Sequence, residues 1–324
     1  MANILVSLTS PGGLENLQIL EQPQLTPKED EIVVRHDAIG MNFVDIYHRK
    51  GIYALPSYPA VIGVEAAGTV EAVGSAVADL KVGDRIAYCG APIGAYATRR
   101  TLAAQRAILL PPQIDAATAA SSLLKAMTAY MLLSKTYPVG AGTTVLVHAA
   151  AGGLGAILVK WAKELGATVI GTVSSQEKAE LARSYGADHL IVGRDADLVG
   201  EVKSRTNGRG VDVGYDGVGG SVLAKTIDSV RPFGTVVTIG QAAGPIPPVD
   251  VDRLRPGKAL SHPSILAFTI DQANYREAAK AAIAAIESGI TAAVAAEYPL
   301  EEAARAQEFL ESGRAAGSLL LIPE

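Results

Sequence analysis

The stretch His148-Ala-Ala-Ala-Gly152-Gly153-Leu154-Gly155 combines residue types and spacing that can do chemistry. It follows an apolar run, Thr144-Val-Leu-Val, and opens a segment with helical spacing. In a G-x-G-x-x-G frame, Ala150 takes the first glycine's place, Gly152 the second and Gly155 the third. Gly152 would let backbone amides approach a pyrophosphate, and Gly155 would let the helix pack closely on its strand. The helix N-terminus then turns free N–H groups and a positive dipole end toward the anion. A turn needed only for packing is the alternative; the strand–turn–helix setting favours a dinucleotide site.

About 20 residues past the first glycine, NAD binders place Asp or Glu at the end of the second strand. This chain reads Gly171-Thr-Val-Ser174-Ser175-Gln-Glu177-Lys178 there. A carboxylate would repel a 2′-phosphate, whereas Ser174, Ser175 and Lys178 could bind one, so NADPH is predicted over NADH. Ser174 with Glu177 also fits a helix capping box, and Lys178 fits an ordinary exposed helix position.

These groups need elements to hold them. From about residue 140 the pattern predicts strands 144–148, 168–173, 189–192, 211–215 and 235–239. Helices at 153–165, 176–185, 198–206 and 221–230 fall between them, which means βαβ units and a parallel sheet. The strands are near-continuous apolar runs, as expected when both sheet faces are covered. Before this array, short strands (4–8 and 32–38, rich in branched residues, and the Gly-bounded 68–73 and 83–88) predict a β-rich domain, and a long helix runs from an Asp115 cap to about 137. After Pro263 come helix 272–288, a short strand ending at 298, a helix from 300 and strand 318–322. This tail can return to the first domain.

A length of 324 residues suits two domains. With 49% hydrophobic and 19% charged residues, disorder is excluded. The 28 basic and 33 acidic residues leave a net charge of −5 and no basic block, which argues against a nucleic-acid partner. The single cysteine, Cys89, cannot make an internal disulfide or a four-Cys zinc site. The most apolar window, 145–159, is too short to span a bilayer, and residues 1–8 lack a signal-peptide pattern. A soluble, cytoplasmic protein is expected.

Four segments together resemble one family: the turn 148–155, Ala38-Ile-Gly-Met-Asn42-Phe-Val-Asp45, Gly51-Ile-Tyr53 and Gly63-Val-Glu65-Ala-Ala-Gly68. The chain is similar, essentially end to end, to the zinc-independent quinone oxidoreductases of the medium-chain dehydrogenase/reductase superfamily. The resemblance implies an α/β fold in which a doubly wound Rossmann domain (125–263) is inserted in a GroES-like β-barrel catalytic domain (1–124 plus 264–324). It also implies NADPH, a cleft between the domains, and homodimers joined through the Rossmann sheets. No metal is expected: zinc relatives carry Cys at the place of Asn42 and Gly-His-Glu at that of Gly63-Val64-Glu65. The five histidines show no paired ligand spacing and read as ordinary surface or satisfied polar residues.

By the same resemblance, Asn42, Lys125 and Thr128 approach the nicotinamide, and Ala151, Gly152, Gly153, Leu154 and Gly155 hold the pyrophosphate. Ser174, Ser175 and Lys178 face the 2′-phosphate. Arg194 stands where relatives can place a Tyr near the adenine and could contact the phosphate instead. Val218, Gly240, Gln241 and Ser318 complete the cofactor set. Tyr47 and Tyr53 are candidates to hydrogen-bond the acceptor oxygen or relay a proton, alongside Asn42. Lys125 and Thr128 read equally as the outer face of the long helix, and Glu65 and Asp45 as supporting residues.

Acceptor chemistry fits a metal-free site. Hydride addition to a ketone makes an alkoxide whose conjugate acid is as weak as water. Addition to a quinone makes a phenolate-like anion whose conjugate acid has a pKa of about 10, a difference worth about 8 kcal/mol. Quinones are therefore expected, with enone or alkenal double bonds as the sibling alternative. A non-catalytic NADPH-binding protein, structural or RNA-associated, is the alternative of another class.

Overall fold

The computed structural model describes residues 3–323. Its internal contacts divide the chain into Met1–Lys125 with Tyr275–Glu324, and Ala126–Asn274. The first unit opens with β1 (Ile4–Leu8), β2 (Leu17–Glu21), β3 (Glu31–Met41), α1 (Phe43–Arg49), β4 (Ala60–Val61), β5 (Glu65–Val73), β6 (Arg85–Cys89), β7 (Arg99–Ala103) and β8 (Ile108–Leu109). The helix α2 (Ala116–Tyr130) contains the boundary. The second unit holds β9 (Thr144–Val147), α3 (Gly153–Glu164), β10 (Thr168–Val173), α4 (Gln176–Ser184), β11 (His189–Val192), α5 (Leu198–Arg205), β12 (Val211–Asp216), α6 (Val222–Ser229), β13 (Val230–Thr238), β14 (Ala259–Ser261) and α7 (Ile265–Phe268). Then α8 (Gln272–Glu287), β15 (Val294–Pro299), α9 (Ala303–Glu311) and β16 (Ser318–Ile322) end the chain.

In the first unit β3 is the organising strand. It pairs with β5, β7 and β16, within a seven-stranded sheet of order β15-β16-β3-β5-β6-β8 with β7 also on β3. The register between β3 and β5 shifts at Val33/Val34 and His36/Ala38. Such bulges bend a long strand so that a sheet can curl around its core. Ile32, Val34, Ile39 and Met41 point into that core with Tyr88, Tyr96, Leu319 and Leu321. The C-terminal strand does return here: Leu319 to Leu321 pair antiparallel with Met41 to Ile39.

The second unit is a six-stranded parallel sheet of order β11-β10-β9-β12-β13-β14. Counted within the unit this is 3-2-1-4-5-6, the doubly wound order, and it reverses direction between β9 and β12. The sequence predicts five strands; the sixth, β14, is three residues long and carries no periodicity to reveal it. The helix predicted to reach 137 is capped by Asp115, whose Oδ1 accepts the Thr118 N–H at 2.6 Å, but it widens into a π-helical turn over Met131–Thr136. The combined helical run, Ala116–Thr136, is 21 residues long. It is long and apolar enough to cross a membrane, yet 72% of its most apolar window is buried inside the fold, as in a core helix.

Candidate functional site

In the first unit, Asn42 is the joint between β3 and α1. It caps α1, and its N–H donates to Asp45 Oδ2 at 2.9 Å, one arm of a capping box. Its Nδ2 donates to Glu65 Oε2 at 2.9 Å and to the Gly40 carbonyl at 3.3 Å. With both amide hydrogens committed, Asn42 can offer a ligand only its carbonyl oxygen, an acceptor. Glu65, fully buried at the start of β5, takes the Leu124 N–H on Oε1 at 2.5 Å and Lys125 Nζ on Oε2 at 3.3 Å. A buried carboxylate persists only with partners of this kind. Gly40 makes the approach possible, since a Cβ there would overlap the Ala120 carbonyl oxygen and the Glu65 carboxyl. Lys125 is therefore not an outer-face residue of α2; its ammonium is buried and paired.

Below Asn42, Asp45 accepts the Tyr96 hydroxyl on Oδ2 at 3.1 Å while its Oδ1 has no hydrogen-bond partner. Burial, with a smaller push from the Glu65 charge, raises its carboxyl from 3.8 to about 7, against the pull of its donors and of Lys125. Between those two values the native protein holds a proton that the unfolded chain has released. Stability contributed below pH about 4 is therefore lost as pH rises through about 7. Replacing Asp45 by Asn should flatten that loss. Melting temperatures compared at pH 5 and pH 8 should differ less in the variant, by on the order of 5 °C. An unchanged difference would remove Asp45 as the titrating group.

Tyr47 is buried in α1, and Tyr53, 39% exposed, meets it edge-on with ring centroids 5.3 Å apart. Of the two phenols, Tyr53 is the one open to an acceptor, and partial burial raises its pKa. His48 departs from expectation: it is buried, its Nδ1 has no partner, and burial keeps it below its ordinary pKa. It is not a satisfied polar residue. Ser318, also buried, donates its hydroxyl to the Ser121 carbonyl at 2.8 Å and so joins β16 to α2.

In the second unit, the turn from His148 to Gly152 leads into α3, with Gly152 as its N-cap. A Cβ on Gly155 would overlap the Ala149 carbonyl oxygen, so the third glycine is needed for close packing. Ala149 itself has φ 50°, a left-handed conformation that costs a residue with a Cβ about 1–2 kcal/mol. Ala151 is buried, while Gly153 and Leu154, in the first turn of α3, are half-buried. At the end of β10 the cap of α4 is Ser175, whose hydroxyl accepts the Lys178 N–H at 3.3 Å. The predicted capping role of Ser174 is thus taken by its neighbour, and Ser174 lies exposed at the strand end. Lys178 has its pKa lowered by partial burial and by the nearby positive charge of Arg194.

Val218 and Gly219 follow β12, and both their N–H groups donate to Asp216 Oδ1, at 2.8 and 2.9 Å. The Val218 carbonyl accepts the Ala243 N–H at 2.8 Å, which packs this loop against the one carrying Gly240 and Gln241. Thr128 is half-buried on α2. Tyr96 and Asp216 are absent from the sequence-derived site. Asp216 was legible as a carboxylate closing a strand just before Gly217-Val-Gly-Gly; Tyr96 had no local signal. Among the described residues, no group of three or more His, Cys, Asp or Glu could hold a metal ion.

Family models match the chain as "Alcohol dehydrogenase GroES-like domain" over residues 28–112 and "Zinc-binding dehydrogenase" over residues 153–288. Quinone oxidoreductase 1 of Escherichia coli K12 is 41% identical over 317 residues, covering 96% of this chain and 97% of that protein. A 2-haloacrylate reductase of Burkholderia sp is 39% identical over 322 residues, 97% of each chain. The structure of Escherichia coli quinone oxidoreductase complexed with NADPH superimposes with a TM-score of 0.94 at 39% identity, covering 99% of this chain and 100% of that one. With its doubly wound sheet, its glycine turn and its near-complete likeness to these proteins, the chain belongs to the quinone oxidoreductase family of the medium-chain dehydrogenase/reductase superfamily.

Proposed function

We propose that the protein is an NADPH-dependent quinone reductase. The observation that carries this function is the full-length likeness to a quinone oxidoreductase solved with NADPH. Bound nucleotide would supply the hydride. The residues of this chain fit that group: the Gly155 approach and the α3 N-terminus suit a pyrophosphate, and the Lys178–Arg194 pair suits a 2′-phosphate. Ser174 and Ser175 line the same strand end, with Ala151, Gly152, Gly153 and Leu154 at the turn. Lys125, Thr128, Val218, Gly240, Gln241 and Ser318 complete the proposed contacts, within a nucleotide-binding domain taken as 125–263. Asn42, as an acceptor, suits an amide N–H such as a carboxamide's. Tyr53, with Tyr47 packed behind it, is assigned the hydrogen bond to the reduced acceptor's oxygen. Such an oxygen needs only a phenol-strength donor.

A reductase of conjugated double bonds is the second possibility, favoured by the likeness to the 2-haloacrylate reductase. Steady-state oxidation of NADPH and NADH against quinones, alkenals and 2-haloacrylate separates the two. Turnover is expected with quinones, with NADPH preferred at least tenfold in kcat/KM. Preference for the alkenes selects the second possibility, and tight NADPH binding without any turnover selects a non-catalytic role.

A homodimer through the Rossmann sheets is part of the proposal. Strand β14 ends the sheet, and Phe233, on the neighbouring β13 and 76% exposed, offers apolar surface beside Gly257, two residues before β14. An open strand edge beside apolar side chains is a place for a second copy to pair. A cytoplasmic location is likewise proposed, in keeping with a lone, buried cysteine.

A further inference from the structure

A polar chain crosses the second unit's sheet at the carboxyl ends of β10, β9 and β12. His148, the residue after β9, lies with Nδ1 3.0 Å from the Thr172 hydroxyl on β10 and Nε2 2.9 Å from the Thr226 hydroxyl on α6. Thr226 in turn donates to Asp216 Oδ2 at 2.8 Å, sharing its proton with the Val222 carbonyl at 3.1 Å. Asp216 Oδ1 receives the N–H groups of Val218 and Gly219.

The protons can be assigned by counting. Thr226 has one hydroxyl proton and two neighbours, Asp216 and Val222, that only accept it. Toward His148 it must therefore accept, so Nε2 carries the hydrogen. Burial keeps the imidazole below its ordinary pKa, against a smaller pull from Asp216, so the ring is neutral and Nδ1 is bare. Thr172 then donates to Nδ1. Every bond points one way, from Thr172 through His148 and Thr226 to Asp216.

We propose that His148 is a positioning residue for the dinucleotide, held as the Nε2–H tautomer, whose relay locks the phosphate turn to the Val218 loop across the reversal in strand order. This rests on the nucleotide assignment made above. Three features place the relay there. The reversal between β9 and β12 is where doubly wound sheets bind ligands, and the relay joins those two strands. The next residue, Ala149, holds a left-handed conformation, which persists only where surrounding structure over-determines it, and His148 is tied on both sides. At its far end, the relay's last acceptor also fixes the backbone of Val218 and Gly219. The chain thus sets the distance between two stretches of backbone that must meet one extended ligand.

Two measurements test it. Nitrogen-15 NMR of the free protein at pH 7, with the His148 signal assigned by its loss in His148→Gln, should show Nε2 protonated and Nδ1 bare. An Nδ1–H tautomer or an imidazolium would overturn the relay. Second, Thr226→Val should raise the Kd for NADPH about tenfold, and Thr226→Ser should return it to within twofold of wild type. Thr226→Val keeps the packing volume and loses the hydroxyl, whereas Thr226→Ser keeps the hydroxyl and loses the methyl that packs at Gly214, so a purely structural threonine would give the opposite order, with the serine variant the more perturbed. Wild-type binding with equal Kd in Thr226→Val overturns the relay alone. Failure of the wild type to bind NADPH overturns the nucleotide assignment, and with it any positioning role.

Discussion

Glu65→Ala should destabilise the protein by about 3–5 kcal/mol, the usual result of leaving a buried charge without its partner. The carboxylate is fully buried and holds three groups at once: Lys125 Nζ, the Leu124 N–H and Asn42 Nδ2. Its removal strands an ammonium on α2 and frees the amide of Asn42 to rotate. A fall in melting temperature on the order of 10 °C should follow. The double variant Glu65→Ala with Lys125→Met should recover part of the loss, because the unpaired charge disappears with it. A coupling of about 1–3 kcal/mol between the two sites is expected. Simple additivity would mean that the ion pair at 3.3 Å contributes nothing beyond its separate side chains.

The combined change Lys178→Ala and Arg194→Ala should raise KM for NADPH by roughly 30–150-fold and leave KM for NADH nearly unchanged. Hydrogen bonds to charged groups contribute about 1.5–3 kcal/mol each when well buried. Lys178 is only partly buried and Arg194 is exposed, so about 1–1.5 kcal/mol each is the better figure. The preference should also shrink with added salt, since exposed charges are screened within about 10 Å at 0.1 M. If both coenzymes weaken equally, the pair does not read the 2′ position.

The second unit was readable from the chain because its information is local. Apolar runs such as Val145 to Val147 and Val169 to Val173 alternate with amphipathic helices, and their bounds agree with the structure to within a residue or two for most elements. The glycine turn announces itself for the same reason: Gly155 is dictated by contact with Ala149, six residues earlier in the same turn. The first unit was less legible. Helix α1 is seven residues long and was not expected, because Phe43-Val-Asp-Ile-Tyr-His-Arg carries too short a period to separate from a strand. Strand β2, largely exposed, was missed for want of an apolar face.

Residue types alone established a parallel α/β unit, a glycine turn with no acidic residue at the end of the next strand, and an N-terminal part built of short strands, since each follows from neighbours a few positions apart. Tertiary structure decided what those residues do. Only folding brings Glu65 to Lys125, 60 positions away, or Asp45 to Tyr96, 51 away, and only burial lifts the Asp45 carboxyl toward neutrality. Likewise His148 and Thr226 lie 78 positions apart, and their protons can be counted only once the sheet has placed them side by side. Propensity and spacing act along the chain, whereas desolvation and charge act through space, so the fold shows in the sequence and the state of each group does not.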